Sequence, residues 1–262
     1  DGMSIRTTAA ALLIAVTAFA SGIAAAEPLT AGQPRKLAGG FTWAEGPAKA
    51  SGGTIYFTDN RENHLWALVP DGRVTLVSAE AHRVNGLYPA ADGTVYACAG
   101  DPKALMRFDP STGAMDVLCD SAGGEPLNAP NDCWTDSRGG VYFTDPYWGG
   151  GENRSRVLYL PPGAREPVVV VDGMTRPNGI VGSPDGGTIY ITDWDDKVTF
   201  AFDVRRDGTL GGKRQFADAG DDGMTVDAHG NGYLTGETLT IVNPSGGVLE
   251  TVTFPETPAN CI

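Results

Sequence analysis

Five tyrosines, Tyr56, Tyr96, Tyr142, Tyr190 and Tyr233, sit in short β-rich segments (TIYFTD, TVYACA, VYFTDP, TIYITD and GYLTGE) spaced 40, 46, 48 and 43 residues apart. Self-similarity at a period of roughly 40 to 50 residues marks a β-propeller, in which each repeat is one four-stranded blade. The first repeat divides accordingly into FTWAEGPA, TIYFTD, HLWALVP and RVTLVS, separated by glycine-rich or Pro-Asp-Gly turns. The later repeats continue it with LMRFDPSTGAMDVLC, RVLYLPPGAREPVVVV, VTFAFDVRRDGTL and LTIVNPSGGVLETVTF. Short runs at hairpin spacing predict antiparallel sheets, and radial repetition leaves few open edges. A β-sandwich is the alternative, but its strands do not normally recur at this interval. With 36 glycines, 18 prolines and only 19% charged residues, the composition disfavours a helical bundle. A sixth tyrosine would fall past Ile262, so the last blade of this all-β propeller is expected to be cut short.

The residues ahead of the repeats read differently. A basic start at Arg6, an apolar run from Ala9 to Ala20 and Ala24-Ala25-Ala26 before Glu27 have the grammar of a secretory signal peptide. The expectation is residues 1–26 as leader with two upstream residues, a propeller domain over 27–262, and export to the periplasm or beyond. The apolar run is too short for a membrane span. Acidic residues outnumber basic ones 32 to 19, and a net charge of -13 repels phosphate backbones and anionic lipid, which excludes nucleic acid and membrane surfaces as partners. Nothing in the sequence points to a protein partner. Cys98, Cys119, Cys133 and Cys261 allow up to two disulfides in an oxidising compartment, or four buried thiols.

Counting back from the tyrosines exposes the candidate site. Eleven residues before Tyr56, Tyr96, Tyr142 and Tyr233 stand Glu45, Asn85, Asn131 and Asp222; Asn178 stands twelve before Tyr190, the extra residue fitting in the Ser183–Gly187 turn. All five fall on the first run of their repeat, which lines the axis of a propeller, so their side chains should converge. Two carboxylates and several amide oxygens suit Ca²⁺, with Mn²⁺, Mg²⁺, Fe²⁺ or Zn²⁺ as alternatives, although no histidine or cysteine shares the register of a structural zinc site. Two other readings are open: Asn-Gly and Asp-Gly are common tight-turn dipeptides, and a polar channel can hold water alone. His64, His82 and His229 lie outside the register and read as surface residues.

The pieces WAEGP (43–47), VNGL (84–87), LNAPND with YFTDPYWG (127–149), RPNG with SPDGGTIYITD (176–193) and DDGMTVDAHGNGY (221–233) resemble the SMP-30/gluconolactonase/luciferin-regenerating family. The resemblance covers nearly all of the chain after the leader, including the tail PETPANCI. It departs at Lys49, where the family often has tryptophan, and in the shortened stretch CAGDPKAL. The resemblance implies a six-bladed propeller and a divalent cation held by Glu45, Asn131, Asn178 and Asp222, with Asn85 a pocket position. It implies hydrolysis of a lactone, most directly a sugar aldonolactone, with Asp222 as general base or water-orienting group. Asn85, Asn128 and Tyr147 are candidates for holding substrate hydroxyls. An organophosphate or aromatic-lactone hydrolase on the same metal, and a non-catalytic calcium-stabilised binding propeller, are the competing functions.

Overall fold

The computed structural model describes residues 11–13, 32 and 34–262. All regular structure among them is strand: five four-stranded sheets in which every neighbouring pair is antiparallel, a short hairpin of Ser121–Ala122 with Glu125–Pro126, and one parallel strand pair. Blade one runs Ala44–Lys49, Ile55–Asp59, His64–Leu68 and Val74–Ser78. Blades two to five begin with inner strands Val84–Pro89, Cys133–Thr135, Pro177–Gly182 and Met224–Val226. In each, the counted tyrosine lies on the second strand, as the spacing predicts.

The six blades implied by the family resemblance are not found among the described residues, which form five. The inner strands follow one another around the axis, and the place between blade five and blade one is taken by the single strand Pro258–Cys261. Its partner there is Ala11–Leu13, which pairs with it in parallel rather than as an antiparallel second strand. The rest of the segment expected to be a leader lies outside the described residues.

Burial falls from the axis outwards. The second strands of blades three and five are buried along their whole length, while the fourth strands of blades one and five are largely exposed. The tyrosine recurs because it packs between blades. Tyr56 meets Phe108 of blade two edge-on at 5.7 Å, and fully buried Tyr142 donates its hydroxyl to Gly208 O of blade four at 2.9 Å. All four cysteines are buried free thiols, the second of the two cysteine readings.

Hairpin turns are tied down by aspartates. In blade three Asp136 accepts hydrogen bonds from Gly140 N (2.9 Å), Arg138 N (2.9 Å), the Arg138 guanidinium and Tyr159 Oη (3.0 Å). Burial alone would raise its pKa, but these donors together hold it below the ordinary 3.8. A carboxylate with a depressed folded-state pKa contributes stability that is complete above its unfolded value and is lost as pH falls through the folded one. Asp136→Asn is therefore expected to lower stability near neutrality and to flatten the acid limb of a melting-temperature profile recorded from about pH 5 to 2. An acid limb identical to the wild type would show that Asp136 carries none of this linkage.

Candidate functional site

Two recurring contacts bring the inner strands to one level. The first is a threonine on the second strand that donates its hydroxyl to the next blade: Thr58 to Asn85 O (3.1 Å), Thr144 to Asn178 O (2.6 Å), Thr192 to Asp222 O (2.6 Å) and Thr235 to Ala259 O (2.9 Å). From blade two to blade three the clamp is a backbone one, Gly86 N to Asn131 O at 2.7 Å. The counted residues thus occupy equivalent places in the ring, and Ala259 occupies the sixth. The second contact involves the aspartate after that threonine. Asp59 accepts from Thr42 N and Trp43 N (both 2.8 Å), Asp145 from Asn128 N and Ala129 N (2.8 and 2.9 Å), and Asp193 from Thr175 N and Arg176 N (2.9 and 3.0 Å). Each anchors the backbone two and three residues ahead of Glu45, Asn131 or Asn178.

The dipeptides at the ring are not tight turns. Asn85-Gly86 and Asn178-Gly179 lie within strands, and a Cβ on Gly46, Gly86, Gly179 or Gly223 would overlap the adjacent inner strand. Close approach of backbones around a narrow axis explains the glycines; Gly46, at φ +50°, also needs the left-handed region.

Glu45, Asn178 and Asp222 are each no more than 5% exposed. The Asn178 side chain lies beside the Asp222 carboxylate and favours its charged form. Glu45 accepts from Trp43 Nε1 (3.1 Å) and Gly46 N (3.2 Å). Asn85 and Asn131 are half-buried at the same level. Two residues that the tyrosine count does not single out join this cluster. Asp132 is buried beside Asn131, and Asn260 Nδ2 reaches Asp132 Oδ2 at 3.2 Å and Glu45 Oε2 at 3.5 Å. Gly-to-Asp replacement after the site asparagine was the available signal for Asp132. Asn260 has no following tyrosine from which to count.

Burial pushes Glu45 and Asp132 up to about 7, against the hydrogen bonds that favour their charged forms. Asp222 is raised well above the usual carboxylate range by burial first and then by repulsion from Glu45, Asp221 and Asp132. Among the described residues no lysine or arginine forms an ion pair with any of the three. Three like charges in a nearly dry channel with amides and no basic partner form a donor set that fits a hard cation. No group of three or more Asp, Glu, His or Cys side chains among the described residues is by itself arranged to hold a metal, so the amide oxygens would have to complete the set.

Asn128 and Tyr147 are placed elsewhere. Asn128 Nδ2 is committed to Asp145 O (3.1 Å) and Arg154 O (2.8 Å), and the Tyr147 ring lies under the Arg154 guanidinium at 4.5 Å. Both line a cleft of about 600 Å³ with Lys103, Arg154 and Asp172, which none of the axial carboxylates lines. His82 and His229 are exposed and His64 packs edge-on against Trp66, all away from the axial cluster.

A propeller with buried carboxylates and amides meeting at its axis defines a class of proteins whose chemistry sits in the central channel. The chain belongs to the SMP-30/gluconolactonase/LRE-like family, whose family model matches residues 43–262. It is 28% identical over 231 residues to a gluconolactonase of Zymomonas mobilis, the match covering 74% of this chain and 65% of that protein's length. The structure of a gluconolactonase from Xanthomonas campestris superposes with a TM-score of 0.78 at 28% identity, over 84% of this chain and 79% of that one. The calcium-binding protein regucalcin of Agrobacterium tumefaciens shares the fold, with a TM-score of 0.71 at 22% identity, over 83% of this chain and 76% of that one.

Proposed function

We propose that the chain hydrolyses a lactone, most directly a sugar aldonolactone, to the open hydroxy acid at the axial cluster, with one divalent cation, Ca²⁺ first. The observation that carries this reading is the convergence of Glu45, Asn178, Asp132 and Asp222 in a buried channel with no basic counter-charge. The similarity to gluconolactonases supports the substrate class. Glu45, Asn131, Asn178 and Asp222 would hold the cation, which when bound polarises a lactone carbonyl.

The chain's own residues supply the rest. Asp222 accepts a proton from the attacking water at a carboxylate oxygen, and the neighbouring Asn178 side chain favours the charged form that can do so. Glu45 is kept in place by the Trp43 indole and the Gly46 amide, so its role is to bind rather than to move protons. The half-buried Asn85, whose backbone oxygen is clamped in the same ring, would hold a substrate hydroxyl through its amide. Export directed by residues 3–26 belongs to the same proposal.

Acid release from a panel of aldonolactones, aromatic lactones and organophosphates, followed with and without chelator, tests the function. The expected result is gluconolactone turnover that chelator removes and Ca²⁺ restores. Chelator lowering the melting temperature of a chain that turns over no member of the panel would instead identify a binding propeller.

A further inference from the structure

The six ring positions differ one residue further along each inner strand. Gly46, Gly86, Gly179 and Gly223 hold four of them, and Asp132 and Asn260 hold the third and the sixth. Third and sixth of six are opposite, so the only two side chains at this level face each other across the axis. They are folded alike: Asp132 Oδ1 accepts from Cys133 N at 3.0 Å, and Asn260 Oδ1 accepts from Cys261 N at 2.8 Å. A backbone N–H can only donate, so the atom of Asn260 facing Cys261 is its oxygen and the NH₂ is turned to the carboxylates. That NH₂ lies 3.2 Å from Asp132 Oδ2 and 3.5 Å from Glu45 Oε2.

We propose that Asn260 is a positioning residue for the cation site: its amide, shared between Asp132 across the ring and Glu45 on the adjacent inner strand, fixes the Glu45 carboxylate and thereby sets cation affinity. The inference rests on the cation reading above. Only a neutral donor serves here. A lysine would bring a positive charge against the cation, a carboxylate would add a fourth negative charge to Glu45, Asp132 and Asp222, and an apolar side chain would leave Asp132 and Glu45 without their shared donor. Partners of this kind, one contact removed from an ion, typically set its affinity by about 10-fold to 100-fold.

Calorimetric titration of the full chain with Ca²⁺, alongside gluconolactone kinetics and melting in chelator, tests this. Asn260→Leu is expected to weaken Ca²⁺ binding at least about tenfold and to lower kcat at saturating lactone with KM little changed. The double variant Asp132→Asn/Asn260→Asp keeps the contact across the axis and the number of carboxylates, but takes the donor away from Glu45. It is expected to melt near the wild type in chelator and still bind Ca²⁺ about tenfold more weakly. Wild-type affinity in the double variant, or an Asn260→Leu chain that loses thermal stability alone, overturns the proposal while leaving the cation reading standing. A wild-type chain that binds no Ca²⁺ overturns both. Should Asn260→Leu fail to fold, the double variant decides.

Discussion

Asp222→Asn is expected to reduce lactone hydrolysis by about a thousandfold, the loss associated with removing a positioned proton acceptor. The same substitution should make the chelated protein more stable, because Asp222 is buried and repelled by Glu45, Asp221 and Asp132. The geometry allows the exchange: an amide keeps the shape of the carboxylate, and the backbone carbonyl of residue 222 still accepts from Thr192 at 2.6 Å. Activity is read by acid release with Ca²⁺ in excess and stability by thermal melting in chelator. Opposite movements of the two are the signature of a group kept for chemistry at the expense of folding. Retention of more than about a tenth of the wild-type rate would remove Asp222 from the role of proton acceptor.

Asp145→Ala should be the most damaging single change away from the axis, at about 3 to 5 kcal/mol in denaturant unfolding. Its carboxylate is fully buried and accepts from Asn128 N, Ala129 N and two nitrogens of Arg156, at 2.8 to 3.1 Å. Truncation strands the guanidinium, which is 16% exposed, together with two backbone donors. Those donors lie on the segment that leads to Asn131, so Ca²⁺ affinity should fall as well. Asp145→Asn keeps an acceptor for the backbone pair and should cost less. A cost below about 1 kcal/mol for the alanine variant would mean that the ion pair contributes no more than a surface one.

The ring was legible in the sequence because two independent periodicities meet in it. The tyrosine marks where each second strand packs on its neighbour, and a fixed hairpin length then locates the residue opposite. Asn85, Asn178 and Glu45 fall on inner strands by that count, and Asn131 and Asp222 stand two residues ahead of theirs. The Thr-Asp that closes three of the five segments was just as visible, yet its work is done through backbone atoms of another strand, which no count of side chains anticipates. Asp132 was hidden by adjacency: it stands one residue past Asn131 and so falls outside the count from the tyrosine. Asn260 was hidden by distance: it meets Glu45 from 215 residues away. Asn128 and Tyr147, read as substrate contacts, line a cleft apart from the axial carboxylates, and short polar motifs do not reveal that the Asn128 amide is spent on Asp145 O and Arg154 O. The period gave five complete repeats, which are the five four-stranded sheets; the number six came from the resemblance, and a period does not say how many repeats close the circle.

The loop joining the second and third strands of blade three leaves from Asp145 and returns at Arg156, two residues that bind each other. Its ends are therefore stapled independently of whatever lies between them. Substituting residues 147–152, which include Tyr147 and Trp148, should be tolerated like an exchange of fingertips on a fixed knuckle, whereas Asn153 and buried Ser155 hold Met174 O and Thr175 O. Directed diversification of residues 147–152, with Asp145 and Arg156 retained, offers a route to a reshaped cleft that leaves the axial residues alone.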